Sequence, residues 1–160
     1  MSQDAVVIDP SLAMRWALNL PYSGQATILL QSWVHQGTRL LAPHLFIGEV
    51  STALFAYVRN KSPLYPSITL IEAERLLAAT LDVMEIHSED LGLARRSLRF
   101  AYETNRTSTL DSLYAALAER ENCPLWTADE KFWNGVKATY PWVRCVADPT
   151  LQTAGPSQRP

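Results

Sequence analysis

The chain has 160 residues, of which 48% are hydrophobic and 19% are charged, and its formal net charge is −2. This length suffices for one domain with its own core, and the near-neutral charge gives no indication of nucleic-acid binding, although a basic patch can exist within a neutral total. No apolar run is long enough to span a membrane or has the layout of a signal peptide, so we expect a cytoplasmic protein without a membrane partner.

Five short apolar runs predict β-strands, and helical patterns separate them. The strands are predicted at 5–8, 39–42, 82–87, 125–127 and 143–146. Leu12, Trp16 and Leu20 mark a first short helix. Further helices are predicted at 25–35, 45–59, 68–81, 90–103, 108–121 and 130–137. Strands that alternate with helices indicate an α/β fold around a mainly parallel, five-stranded sheet.

The domain organisation is predicted to be simple. Residues 1–147 form one domain, because the turn-rich connector NKSPLYPS (60–67) is too short to separate two. Residues 148–160 are polar and proline-rich, and we expect most of them to form a disordered tail. Cys123 and Cys145 lie beside apolar residues and form no CxxC pair, so we expect free, part-buried thiols. A disulfide between them would require neighbouring strands.

Two acidic residues directly follow predicted strands. Asp9 comes after the first strand and Asp129 after the fourth, and ligands of parallel sheets bind outside the carboxyl ends of the strands. Each acid also has a purely structural explanation. Asp9 followed by Pro10 is a good helix N-cap, and Thr127 with Glu130 forms a capping-box pattern that places Asp129 in a first helical turn.

Two further acids lie on or beside the apolar stripes of helices. Glu49 is next to the stripe that contains Phe46 and Val50, where an unpaired carboxylate is costly. The alternative is a glutamate at the core boundary that reaches solvent or pairs with an arginine. Asp111 flanks the stripe of its helix, and Ser108 with Asp111 resembles a capping box.

Carboxylates that converge repel one another unless a cation holds them. Oxygen ligands without a histidine or cysteine cluster suit a hard ion such as Mg²⁺ or Mn²⁺. Such an ion can activate water for attack on a phosphate. These four acids therefore predict a metal site only if the fold brings them together. Capping roles alone would not require them to lie near one another.

Four segments resemble, in order and spacing, the motifs of PIN domains, and most of all those of VapC-type toxins from toxin–antitoxin pairs. They are VVIDPSLAMRW (6–16), LLAPHLFIGEVSTALF (40–55), TLDSLYAALAE (109–119) and PLWTADEKF (124–132). The resemblance extends from Ala5 to about Val146. It implies a three-layer α/β/α sandwich with the activity of a metal-dependent endoribonuclease that leaves a 3′-hydroxyl and a 5′-phosphate.

The resemblance also implies roles for particular residues and partners. The acids that hold Mg²⁺ or Mn²⁺ and carry out catalysis are Asp9, Glu49, Asp111 and Asp129, and the hydroxyl residues that position substrate are Ser11 and Thr127. The implied partners are an RNA substrate, an antitoxin protein and a second copy of the chain. Pro10 departs from the family, which has a small residue there, and should stiffen this loop.

Two other functions are compatible with parts of this sequence. A non-catalytic PIN-like module that binds RNA or protein would not need all four acids. An α/β phosphotransfer domain would use Asp9 as a covalent acceptor, but haloacid-dehalogenase-type phosphatases need a second aspartate where Ser11 stands. Receiver domains need an acid pair after the first strand, and this pair is missing as well.

A cluster of arginines and several tryptophans have open roles. Arg95, Arg96 and Arg99 with Arg106 form either a solvated face or a surface that guides RNA. The tryptophans are expected to fill the core or shallow surface grooves rather than to stack on bases; they are Trp33, Trp126, Trp133 and Trp142. The three histidines are isolated in sequence, so we expect no zinc site.

Overall fold

The computed structural model describes residues 1, 4–60 and 66–152. The elements in chain order are β1 Ala5–Ile8, α1 Pro10–Ala17, α2 Ser23–Gln36, β2 Arg39–Pro43, α3 Leu45–Arg59, α4 Leu70–Asp82, β3 Glu85–His87, α5 Leu91–Glu103, α6 Leu110–Arg120, β4 Leu125–Thr127, α7 Glu130–Val136, β5 Val143–Cys145 and α8 Pro149–Gln152. Most of the connector predicted at 60–67 (residues 61–65) and the tail beyond residue 152 lie outside the described residues.

The five strands form one sheet in the order β3-β2-β1-β4-β5, and every neighbouring pair is parallel. The chain moves from β1 towards β3, then returns past β1 to β4 and β5. Right-handed crossovers therefore place α1 to α4 on one face and α5 to α7 on the other. This arrangement confirms the predicted α/β/α sandwich around a parallel sheet.

The core lies on both faces of the central strands. All four residues of β1 are buried, as the apolar run predicts for a strand covered on both sides. Helix α6 packs against β1, β2 and β4 with a buried stretch that is rich in alanine. Small side chains allow the helix backbone to approach the sheet closely, and this positions the first turn of α6 near the ends of the central strands.

The strand predicted at 82–87 begins three residues later in the structure. Helix α4 continues to Asp82, and β3 starts only at Glu85. Among the strands that the structure describes, β3 is at the sheet edge and pairs with β2, where Arg39 and Glu85 form an exposed ion pair at 2.5 Å. The apolar residues before Glu85 belong to the helix end and its turn, so the hydrophobic run alone placed the boundary wrongly.

The start of the predicted tail is ordered into the short helix α8. Cys123 and Cys145 are both buried free thiols, as expected, and burial raises the pKa of each thiol to about 11. In the described ranges, no helix is both long and apolar enough to cross a lipid bilayer.

Candidate functional site

The candidate site lies where the direction of the chain through the sheet reverses. The connection from β1 leads to one side of the sheet, and that from β4 leads to the other. The carboxyl ends of these two adjacent strands therefore leave a crevice between them, the usual ligand position in open parallel sheets. Asp9 follows β1, its amide donates to the carbonyl of Trp126 at 3.2 Å, and Thr127 is the last residue of β4.

Asp9 has two roles at this point. Its Oδ1 accepts the amide of Leu12 at 3.0 Å, so the predicted N-cap of α1 is confirmed, with Pro10 as the first helical residue. The same oxygen accepts the hydroxyl of Ser11 at 2.7 Å, and Oδ2 accepts the hydroxyl of Thr127 at 2.5 Å. Burial raises the pKa of Asp9 from 3.8 to about 6, and these hydrogen bonds limit the rise.

Ser11 and Thr127 connect the two strand ends. Their hydroxyl oxygens are 3.1 Å apart. The amide of Ala128 donates to Ser11 at 2.8 Å, and the amide of Asp129 donates to Thr127 at 2.9 Å. Thr127 is fully buried, so its hydroxyl is held in a fixed position. The pair fixes the carboxylate of Asp9 relative to the loop that begins α7.

Glu49 extends from the second turn of α3 and accepts a short hydrogen bond from the hydroxyl of Tyr114 on α6. Burial raises the pKa of Glu49, whereas the bond from Tyr114 lowers it. Burial and the neighbouring Glu49 raise the pKa of Tyr114 far above its ordinary value, so it is a permanent donor. Tyr114 is not among the residues that the sequence indicated for the site, although a buried tyrosine hydroxyl needs a hydrogen-bond partner and could have pointed to this role.

Asp111 lies in the first turn of α6 and is about half exposed. Its carboxylate accepts a hydrogen bond from Arg106 at 3.1 Å. The predicted capping box is wrong: Thr109 is the N-cap without a side-chain bond, and Ser108 accepts the amide of Leu110. Since Asp111 is not needed as a cap acceptor, its orientation is set by Arg106 instead.

Asp129 is the N-cap of α7 and accepts the amide of Phe132 at 2.9 Å. The capping box predicted from Thr127 and Glu130 is therefore wrong. Thr127 is still within β4, and Glu130 accepts a hydrogen bond from the hydroxyl of Tyr22 at 3.3 Å. As at Asp9, a single carboxylate both caps a helix and faces the crevice.

All four acids line one cavity of about 190 Å³, which we call the acid cavity. Its walls include Asp9, Glu49, Asp111 and Asp129, together with Ser11, Tyr114 and Phe132. The charge of Asp111 contributes to the raised pKa of both Asp9 and Glu49, which is the repulsion expected of converging carboxylates.

The oxygen donors of the acid cavity fit a hard cation in their chemistry. In the present side-chain positions, however, no three acidic, histidine or cysteine residues within 1, 4–60 and 66–152 form a group that could hold a metal ion. A shared ion would therefore require the carboxylates to turn towards one another.

Among the remaining candidate residues, Arg96, Trp33 and Trp126 have structural partners. Arg96 is paired with Glu103 at 3.0 Å and with Glu119, whereas Arg95 and Arg99 are exposed. The ring centroids of Trp33 and Trp126 are 5.5 Å apart, and both tryptophans line a groove of about 540 Å³ away from the acids. This agrees with the expected packing and groove roles.

Comparison with known proteins identifies the family. The model of the PIN domain matches residues 6–134. The chain belongs to the PIN-domain family. No curated protein sequence matches the chain. The acid cavity at the strand ends therefore lies within the PIN domain.

Solved structures show the same fold. The chain is similar to PAE2754 from Pyrobaculum aerophilum, with 22% identity, a TM-score of 0.64 and coverage of 89% of this chain and 83% of that one. A chain of a toxin–antitoxin complex from Klebsiella pneumoniae shares 18% identity at a TM-score of 0.60, with 86% and 94% covered. VapC20 from Mycobacterium tuberculosis, described as a toxin that cleaves the sarcin-ricin loop, shares 14% identity at a TM-score of 0.58, with 82% and 95% covered.

Proposed function

We propose that this PIN-domain protein is a metal-dependent endoribonuclease and the toxin of a type II toxin–antitoxin pair. The observation that carries the proposal is the convergence of four carboxylates, from four separate segments, on one cavity at the switch point of the sheet. Capping and core roles explain single acids but not their common position. The sarcin-ricin-loop cleavage by the similar VapC20 supports RNA as the substrate class.

The residues that would hold Mg²⁺ or Mn²⁺ are the four acids of the acid cavity, Asp9, Glu49, Asp111 and Asp129. When bound, such an ion lowers the pKa of a water and offsets the charge that develops on the attacked phosphate.

The other residues of the site keep the acids oriented and charged. Ser11 and Thr127 donate to the two oxygens of Asp9, and Tyr114 donates to Glu49. Each bond favours the carboxylate over the protonated acid and so opposes the effect of burial on the pKa. Fixed donors of this kind reduce the reorganisation needed when substrate enters.

The direct test is cleavage of single-stranded RNA with Mg²⁺ or Mn²⁺, in the presence and absence of EDTA. We expect the wild type to cleave RNA only with metal. Asp9→Asn and Asp111→Asn should each reduce the rate by about 100-fold or more, because each removes a charged ligand. Melting temperatures of both variants separate lost chemistry from a lost fold.

Asp90→Asn is a matched control for Asp9→Asn. Asp90 caps α5 through the amide of Leu93 at 2.8 Å, just as Asp9 caps α1, but it does not line the acid cavity. This control should cleave RNA at the wild-type rate. Cleavage that persists in EDTA, or in both acid-cavity variants, would contradict the metal site. Binding of RNA without any cleavage would favour a non-catalytic module.

The proposed protein partners are an antitoxin and a second copy of the chain. Large apolar side chains are exposed on α2 and α3, with Ile28 at 67%, Val34 at 59% and Phe55 at 54%. Apolar surface of this kind is typical of interfaces. The similar chain from Klebsiella pneumoniae belongs to a toxin–antitoxin complex. Co-expression with any small protein that is encoded beside this chain, followed by light scattering with and without that protein, tests both partners.

A further inference from the structure

A second cavity adjoins the acid cavity and has a different character. It has a volume of about 270 Å³ and is lined by polar residues from the end of α5, the α5–α6 loop and α7. The residues that matter here are Asn105, Arg106, Ser108 and Lys131, and Asp111 lines both cavities. We call it the flanking cavity. Asp111 thus forms the boundary between an acidic and a basic space.

Arg106 is held in place by three separate contacts. Helix α5 ends with Asn105 in the left-handed region (φ 52°), and the amide of Arg106 then donates to the carbonyl of Ala101 at 2.8 Å. The guanidinium lies 4.6 Å from the ring centroid of Phe132 and donates to Asp111. Its side chain is only 21% exposed. A cation on such a rigid support loses little conformational entropy on binding an anion.

The guanidinium retains donors for a ligand. Arginine has five N–H donors, and in the described part of the chain Asp111 is the side-chain partner of a single one. Ser108 accepts the amide of Leu110 through its oxygen, which leaves the hydroxyl hydrogen available. The flanking cavity therefore presents charged and neutral donors together.

The charge of the flanking cavity is positive. The charge of Arg106 is balanced by Asp111, and Lys131 adds a further positive charge. Lys131 is exposed on α7 and makes no ion pair with any residue that the structure describes. A planar guanidinium beside an ammonium is a common arrangement for binding phosphate.

We propose that the flanking cavity binds a backbone phosphate of the RNA strand, adjacent to the phosphate that occupies the acid cavity. The proposal rests on the proposed ribonuclease function, because a strand that enters the acid cavity passes Asp111 into the flanking cavity. Arg106 and Lys131 are then positioning residues that set the register of the substrate. They read the backbone and not the base, since phosphate contacts carry no sequence information.

The test uses a fluorescein-labelled ten-nucleotide oligouridine and the full chain. Its affinity is measured by anisotropy in EDTA over a range of KCl concentrations, and cleavage with Mg²⁺ is measured in parallel. Arg106→Gln and Lys131→Gln should each weaken binding by about 5- to 10-fold at low salt. Lys131→Gln, which leaves the pairing of Arg106 with Asp111 intact, should raise the KM for cleavage more than it reduces kcat. Each should lower the slope of log affinity against log salt, by at most about 0.7, the value for one lost phosphate contact.

Two further variants distinguish a phosphate contact from a structural role. Arg106→Lys keeps the charge and should retain most of the salt slope. Arg59→Gln is the matched control, because Arg59 is an exposed arginine at the end of α3, about 20 Å along the helix from the strand ends. It should bind oligouridine as tightly as the wild type does.

The outcomes separate the two proposals. Wild-type affinity and salt slope in both Arg106→Gln and Lys131→Gln, with cleavage intact, overturn the phosphate site and leave the nuclease in place. Weaker binding by both variants without cleavage by any protein supports the phosphate site and overturns the nuclease. Absence of oligouridine binding by the wild type overturns the phosphate site. If Arg106→Gln fails to fold, Lys131→Gln decides, because its side chain is exposed.

Discussion

Thr127 donates a hydrogen bond at 2.5 Å to the carboxylate of Asp9, and these two residues are 118 positions apart in the chain. The bond joins the ends of adjacent parallel strands and lies at the centre of the candidate site. It also opposes the effect of burial on Asp9, because it stabilises the charged form.

Thr127→Val should raise the pKa of Asp9 above its present value of about 6, since the isosteric side chain removes this donor. The acidic limb of the cleavage rate should move to higher pH. The free energy of unfolding should fall by about 1–2 kcal/mol, because the amide of Asp129 also loses its acceptor. The measurements are carboxyl NMR titration in EDTA, the pH–rate profile and denaturant unfolding.

Thr127→Ser keeps the hydroxyl and is the control for this change. It should leave the pKa of Asp9 and the pH–rate profile close to wild type, with a small stability loss from the missing methyl group. An unchanged titration of Asp9 in Thr127→Val would show that this hydrogen bond does not support the carboxylate.

Asp9→Asn should increase the stability of the metal-free protein at neutral pH. The pKa of Asp9 is 3.8 ordinarily and about 6 in the fold, so between these values the folded state binds more protons than the unfolded state. The free energy of unfolding of the wild type therefore falls as pH rises from about 4 to above 6, by at most about 3 kcal/mol. Solvent contact of this half-buried residue reduces the figure.

The measurement is denaturant unfolding of both proteins in EDTA from pH 4 to pH 8. The two curves should lie close together at pH 4 and separate with rising pH, with Asp9→Asn the more stable. Added Mg²⁺ should stabilise the wild type and not the variant, because only the wild type offers this charged ligand. Parallel curves at all pH values would contradict the assigned protonation of Asp9.

Tyr114→Phe should raise the pKa of Glu49, because the hydroxyl that favours its carboxylate is removed. We expect weaker metal binding and slower RNA cleavage below neutral pH, with partial recovery at higher pH. Tyr140→Phe is the matched control, since Tyr140 donates to Glu103 outside the acid cavity. Equal cleavage profiles for the two phenylalanine variants would remove Tyr114 from the site.

Arg96→Gln should reduce stability without affecting cleavage by the folded protein. Arg96 is 28% exposed and connects Glu103 on α5 to Glu119 on α6. Its loss leaves the partly buried carboxylate of Glu119 without its ion-pair partner, whereas the exposed Glu103 keeps the hydrogen bond from Tyr140. We expect a cost of about 1 kcal/mol, or roughly 3 °C in Tm. Arg95→Gln, on the exposed side of the same helix, should melt like the wild type. Slower cleavage by correctly folded Arg96→Gln would instead indicate that RNA reaches this part of α5.

The sequence was sufficient for the parallel α/β fold, because its apolar runs and helical periods are regular. It was also sufficient for the N-cap at Asp9, where aspartate and proline occur in a strongly preferred order. It failed at Ser108 and Thr127, where capping patterns occur but the side chains bond elsewhere. The pairing of Arg106 with Asp111 depends on how α5 ends, and that of Tyr114 with Glu49 depends on how α3 and α6 pack. Neither geometry can be read from local spacing.

The order of the site residues along the chain also determines when the acid cavity can form during synthesis. Asp9 and Glu49 are made early, whereas Thr127 is made 118 positions after Asp9. A nascent chain that ends between Glu49 and Asp111 therefore carries two of the four acids of the acid cavity without the residues that complete it. A chain built in this order cannot form the acid cavity until Thr127 and Asp129 have been made, so a premature stop before residue 127 leaves a product without that cavity.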